Sequence, residues 1–354
     1  MNPPRLPVET LEAIFEYTTK NDQLALCKSS KLLYDLAIRM LYCNLKFTCA
    51  SQLVQGFRVL KSKQGHALAV TTLNIATVSD MQHLRAYFQL IKDVLARLSN
   101  LKNLSISDTH GDILDNCVFP SLRALDLSYF ECRYIPKFLG RHSNITLLIF
   151  TGQDEDPTGG DLPPTYLPDL LTYMSPTRLF PSWLSRSTSL VALILLYDFA
   201  HPMTEKTFEA LSHTPAKCLS LKLLGWNLEC CGIVSKALPA LKVIKFKNFI
   251  SRDHDVNAYH FIEHFSKFLP TFSHLEDISI IDYTPSPLSL SVLDREHERV
   301  IRWHSTCSEL KRCEFDAGVV WTLKPNLRHF TWEPAPNDVK MSGDLIHQWQ
   351  QRLN

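Results

Sequence analysis

The run "HFIEH", His260 to His264, has the residue types and spacing of a metal site. It matches H-x-x-E-H, in which two histidines one helical turn apart hold zinc and the glutamate activates water. The same segment places Phe261, Phe265, Phe268 and Leu269 on the apolar side of a helix, with both histidines on its flank. A repeat helix with polar flanks accounts for it equally well, and no third ligand is identifiable. "REHER", Arg295 to Arg299, reads as a solvated helix face. Phosphate cradles lack material: the eleven glycines include one adjacent pair, Gly159-Gly160, and there is no G-x-G-x-x-G, Walker loop or G-x-S-x-G elbow. No catalytic residue, no metal site and no cofactor is expected.

The totals point the same way. Charge is nearly balanced, with 37 Lys+Arg against 36 Asp+Glu, whereas repeated phosphate contacts need a basic surplus; nucleic acid is not an expected partner. The ten cysteines contain no C-x-x-C, and the one close pair is Cys230-Cys231. Scattered thiols read as small buried hydrophobes in a reducing compartment. Glu9 and Glu12 interrupt any signal-like apolar run at the start, and the longest uncharged stretch, "GHALAVTTLNIATVS", is too short and polar to span a bilayer. A soluble protein of the cytoplasm and/or nucleus is expected, with no membrane partner.

Two kinds of element must then carry the function. Residues 6–42 read as three short amphipathic helices, and a segment of about forty residues cannot bury a self-sufficient core. Pro7 suits a first helical turn, and Val8, Leu11, Ile14 and Phe15 share a face. Asp22 and Ser30 are candidate caps for the second and third helices. On the third, Leu32, Leu33, Leu36, Ala37, Met40 and Leu41 spread over about half the circumference, wider than the ~100° stripe of a surface helix. That breadth asks for a second covering surface.

"LPVETLEAIFEY", "LALCKSSKLLYDLA" and "LYCNLKF" resemble the F-box, the helical module by which substrate receptors dock on a Skp adaptor and, through it, a cullin ubiquitin ligase. The second helix departs from the family in carrying Cys27-Lys28 before Ser29. The resemblance implies an adaptor-binding module over residues 1–47, with Leu6, Pro7, Leu11, Ile14, Phe15, Leu36 and Leu41 as its candidate residues.

Beyond residue 47 an apolar triplet recurs: an anchor, a second three residues on, a third two beyond that. It appears as Leu101-Leu104-Ile106, Leu122-Leu125-Leu127, Ile145-Leu148-Phe150, Leu190-Leu193-Leu195, Leu241-Ile244-Phe246, Leu275-Ile278-Ile280, Leu310-Cys313-Phe315 and Leu327-Phe330-Trp332, with weaker copies at Val70 and Ala216. A short strand with a returning helix, repeated, predicts a leucine-rich-repeat-like solenoid over 48–354, with about ten irregular repeats. The expected fold is therefore α/β: a three-helix F-box-like module, then the solenoid, closed by a helix over 344–353 with Leu345, Ile346 and Trp349 turned inward.

Between anchors, side chains face the open side of each strand. Down the array these are small and polar, then apolar (Leu147, Ile149, Ala192, Ile194, Leu196), then basic (Lys222, Lys245, Lys247), then mixed. An apolar strip facing water needs a partner or a lid. The proline-rich stretch 151–181, with Asp154-Glu155-Asp156, reads as an irregular insertion rather than a repeat. Two arrangements remain open: the strip with Leu147, Ile149, Ile194, Leu196, Lys222, Lys245 and Lys247 receives a target protein, or Leu167, Leu170, Leu171 and Tyr173 fold back over it. The resemblance implies a substrate receptor of a Skp-cullin-F-box ligase; the alternative is an interaction scaffold whose leading helices cap the solenoid.

Overall fold

The computed structural model describes residues 6–76, 85–107, 111–128, 135–151, 167–176, 187–197, 209, 211–249, 257–282, 287–325, 330–336 and 343–353. The chain divides into two units, Met1–Asp169 and Leu170–Asn354.

The first unit opens with α1 (Val8–Glu16), α2 (Lys20–Leu26) and α3 (Lys31–Cys43). Pro7 precedes α1 as its N-cap residue, and Glu9 stands in the first turn, where the helix dipole favours an acid. Ser30 caps α3, its hydroxyl accepting from the Leu33 N–H at 3.2 Å. The cap of α2 is Thr19 rather than Asp22: Asp22 sits three residues in and closes a capping box, accepting from the Thr19 N–H while donating its own N–H to the Thr19 hydroxyl. Both residues are cap formers, and the reciprocal pair fixes which begins the helix. Phe15, Leu36 and Ala37 form the centre of the three-helix cluster, wrapped by Leu11, Leu26, Cys27, Leu33 and Met40. Buried Gln23 donates to the Phe15 carbonyl at 3.1 Å, which satisfies an acceptor at the end of α1.

Helix α3 passes without a linker into β1 (Asn44–Phe47), which pairs in parallel with β2 (Thr72–Ala76). Residue 47 is therefore the end of a sheet strand. Helices α4 (Ala50–Ser62) and α5 (Gln64–Ala69) connect those strands, and α6 (Arg85–Leu95) leads toward β3 (Asn103–Ser107). Strands β4 (Ala124–Ser128) and β5 (Leu147–Phe150) extend the sheet in chain order, all in parallel, with α7 (Ile135–Leu139) before β5. The anchors of each triplet align across strands, as in Leu73, Leu104, Leu125 and Leu148, and are buried. The period of two in each strand puts the intervening residues on the half-exposed face.

In the second unit β6 (Thr172–Pro176), β7 (Ala192–Tyr197), β8 (Cys218–Leu223), β9 (Val243–Asn248), β10 (Asp277–Ile281) and β11 (Arg312–Glu314) are likewise parallel and in chain order. Helices α8 (Glu229–Ala237), α9 (Ala258–Ser266) and α10 (Leu290–Thr306) accompany them. On the anchor side, Phe246 meets Phe261 and Phe265 edge to face, Phe265 meets Trp303, and Trp303 meets Phe315.

Two expectations are corrected. Stretch 151–181 contains a regular strand, β6, whose Tyr173 and Ser175 register with Leu193 and Leu195. Leu167, Leu170 and Tyr173 are buried as anchors, so they do not fold over the open face; Leu171 is exposed. Residues 152–166 and 177–181 lie outside the described residues. The triplet at Phe330 and Trp332 is not a further repeat: β12 (Val319–Pro325) and β13 (Phe330–Pro336) run antiparallel to their neighbours. The reversal follows a tight turn at Gly318, whose φ of +71° is a left-handed conformation open to glycine; Leu327 lies outside the described residues.

Helix α11 (Gly343–Leu353) buries Ile346 and Trp349, while Leu345 is half-buried. Trp349 donates to Asp294 at 2.8 Å and stands edge-on to Trp321. Among the described residues no helix is long and apolar enough to cross a membrane.

Candidate functional site

The leading helices sort their apolar residues into two sets. Phe15 and Leu36, two of the candidates for the module and its adaptor surface, are buried in the cluster core and belong to the residues that pack internally. Leu11 and Leu41 are half-buried, while Leu6, Pro7 and Ile14 are exposed. An ion pair from Arg39 to Glu12 at 3.3 Å ties α3 to α1, and the Tyr42 ring packs on His66 of α5 at 4.4 Å. Helix α3 thus also packs against this chain's own α5. What stays open is concentrated: Leu6, Val8, Ile14, Tyr17, Leu24, Leu32 and Tyr34 make up seven of the fourteen exposed large apolar residues among those described.

The second candidate is the open face of the sheet in the second unit, where register builds three rows. The first runs Thr172, Ala192, Cys218, Val243, Asp277, Arg312; the second Met174, Ile194, Ser220, Lys245, Ser279, Glu314; the third Pro176, Leu196, Lys222, Lys247, Ile281. The face changes character from apolar on β6 and β7, through basic on β8 and β9, to polar on β10 and β11. Ile194, Leu196, Lys222, Lys245 and Lys247 are brought together on three adjacent strands, all half-exposed. Leu147 and Ile149 are half-exposed on β5 of the first unit, where Leu147 registers with Ala124 and Ile149 with Asp126.

Charge pairing separates the two ends of the basic-to-polar stretch. Arg312 is neutralised by Asp277 at 2.9 Å and reaches Glu314 at 3.5 Å, and Glu314 also accepts from the Ser279 hydroxyl at 3.0 Å. Lys242, at the lip of β9, is bound to Glu276 at 2.7 Å; Glu276 also takes Lys311, and the two ammonium groups hold its carboxyl at about 2. By contrast, no ion pair among the described residues neutralises Lys222, Lys245 or Lys247. The Lys222 ammonium lies 5.9 Å from the Phe249 ring centroid. Burial, and then the like charge of Lys247, push the Lys222 amine below its ordinary range.

Met174 and Pro176 are members of this face that sequence reasoning missed. Their signal was present in Leu170 and Tyr173, three residues apart as in the other repeats, and was hidden because polar Ser175 stands where the third apolar anchor would be.

The H-x-x-E-H segment forms most of α9. Asn257 caps that helix through the His260 N–H at 2.9 Å. Glu263 is an ion-pair acceptor, 3.0 Å from Arg299 and 3.5 Å from Arg302 of α10. His260 is exposed and His264 leans on Phe268. Among the described residues no group of three or more His, Cys, Asp or Glu is placed to hold a metal ion.

No family model matches the chain, and no curated protein matches it.

Proposed function

We propose that the protein is the substrate-receptor subunit of a Skp-cullin-F-box type ubiquitin ligase, an F-box-like module followed by a leucine-rich-repeat-like solenoid. One observation carries the reading: α1 to α3 complete a small core from Phe15, Leu36 and Ala37 and still leave half of the described exposed large apolar residues between residues 6 and 34. Single exposed apolar residues are ordinary, but a concentration in so short a segment asks for a covering partner. Leu6, Ile14, Leu24 and Leu32 supply that surface, while the sheet face with Ile194, Leu196 and the lysines receives a target protein. The receptor contributes proximity, holding the target's lysines near a ubiquitin-charged enzyme carried by other subunits in the cytoplasm or nucleus. It acts without a catalytic residue or cofactor of its own.

A second reading, a scaffold whose leading helices cap the array, draws on the direct passage of α3 into β1 and the packing of Tyr42 on His66. Co-expression with a Skp adaptor separates the two. Under the receptor reading the pair co-purifies, and Ile14→Glu with Leu24→Glu abolishes co-purification while the thermal melt is unchanged. Failure of the wild-type chain to bind, or full retention by the double variant, overturns it in favour of the scaffold.

A further inference from the structure

We infer that the open face of β7 to β9 binds an extended acidic peptide that carries an apolar side chain a few residues from its carboxylates. The inference rests on reading this face as the target-binding surface, and it names the chemistry of what is bound.

Charge complementarity supplies the argument. Lys222 and Lys247 are direct register partners on β8 and β9, and Lys245 lies one side-chain step along the same face. Three like charges within one small area repel one another, and none is neutralised among the described residues. The neighbouring Lys242 and Arg312 each have a carboxylate partner. Among the described residues no acid completes this cluster, and an acidic ligand would do so. Lys222 gains most from it, because its ammonium already loses hydration and faces Lys247. Beside the lysines stand Leu196, in register with Lys222, and Ile194, in register with Ser220. A basic patch edged by aliphatic side chains favours a ligand with both characters over a free anion.

Spacing follows from the sheet. Neighbouring strands lie about 4.8 Å apart, so β7 and β9 are separated by about 10 Å, which an extended chain covers in about three residues. A peptide crossing the strands can set a leucine at Ile194 and Leu196 and glutamates, about three residues on, at Lys222 and Lys247. A second copy of this chain would place the same lysines against themselves, which disfavours self-association through this face.

The test uses the full-length protein and fluorescence anisotropy of a fluorescein-labelled peptide with leucine followed, three residues later, by a run of glutamates. Saturable binding that weakens with salt is expected, together with a loss of roughly tenfold or more in Lys222→Glu/Lys247→Glu. The milder Lys222→Gln/Lys247→Gln pair keeps the test decisive if charge reversal unfolds the chain. Replacing the peptide's glutamates by glutamine should remove binding, and Ile194→Ser/Leu196→Ser should weaken it. No binding by the wild-type chain overturns the inference. So does equal binding of the glutamine peptide, binding confined to a phosphoserine version, or self-association lost in the lysine variants. Adaptor co-purification is read separately on the same variants: if it persists while the peptide does not bind, the acidic-ligand inference alone fails, and if it is absent while the peptide binds, the ligase reading alone fails.

Discussion

Lys222 and Lys247 stand opposite one another in the parallel register of β8 and β9, two lysines on neighbouring strands that no carboxylate among the described residues pairs with. Parallel pairing turns a separation of 25 residues in sequence into direct lateral contact, and cross-strand neighbours of like charge cost stability. Replacing Lys247 with glutamine should raise the titration midpoint of Lys222 and slightly raise the melting temperature. A lysine whose folded-state pKa lies below its unfolded value favours unfolding while both amines are charged, and removing a like charge reduces that penalty. NMR titration of the lysine side chains, with a thermal melt at neutral pH, checks both signs.

Glu296 gives stability a pH dependence that runs opposite to most acids. It is 3% exposed, accepts from the Trp321 indole at 2.9 Å, and burial lifts its carboxyl to about 7. Between the ordinary glutamate range and about 7 the folded chain holds a proton that the unfolded chain has released. Stability is therefore fully present below the unfolded pKa and is lost as pH rises through about 7, by about 3 kcal/mol at most. His297, pushed down by burial, acts with the reverse sign, losing stability as pH falls. Denaturant midpoints for wild type and Glu296→Gln across this range isolate the glutamate, and the variant should lose the downward slope.

His142 works differently from a switch residue at the surface. Its Nε2 accepts the Phe119 N–H at 2.9 Å, which leaves the proton on Nδ1 for the Phe138 carbonyl at 2.7 Å. Protonating the acceptor nitrogen breaks the first bond, and burial already pushes the imidazole below its ordinary value. The first unit should thus weaken as pH falls through and below the histidine range. His142→Ala should cost on the order of 1–3 kcal/mol at neutral pH by leaving the Phe119 N–H unsatisfied. Chemical denaturation followed by hydrogen exchange at Phe119 measures it.

Gly56 sets helix propensity against packing. Alanine in a helix interior is favoured over glycine by about 1 kcal/mol. A Cβ there would lie 2.6 Å from Cε1 of Phe47, a buried ring already packed edge-on against Phe57 at 5.5 Å. Overpacking costs typically 1–3 kcal/mol, so sterics should win and Gly56→Ala should lower the melting temperature. A rise would show that Phe47 has room to move.

Phe15 and Ile14 are adjacent in sequence and opposite in consequence. Phe15→Ala empties the centre of the three-helix cluster and should cost about 3–5 kcal/mol, detected as early loss of helical signal in a denaturant titration. Ile14→Ser, at an exposed position, should leave that curve within about 0.5 kcal/mol of wild type.

Much of the architecture was legible because each strand-helix unit buries residues close to it in sequence. Leu104, Leu125, Leu193 and Ile244 need only local spacing to be recognised as anchors. The misread elements broke that locality. In β6 the anchors are Tyr173 and Ser175, the latter buried with its hydroxyl turned to the Pro176 carbonyl, so an apolar-triplet search passes over it. Phe330 and Trp332 keep the triplet spacing, but a left-handed turn at Gly318 reverses the chain, and spacing carries no direction. The same limit applied to the sites. Helical angle could not separate buried Leu36 from surface residues, because the third helix meets α5 as well as α1 and α2. Nor could composition say that Lys242 would find Glu276 while Lys245 would not.

The antiparallel hairpin of β12 and β13 lies along the free side of β11, where a parallel neighbour would otherwise add. Growth of the second unit by duplication of a strand-helix segment therefore has room only upstream of Arg312. Any divergence in length among related chains should accumulate there, with the closing ribbon carried along unchanged.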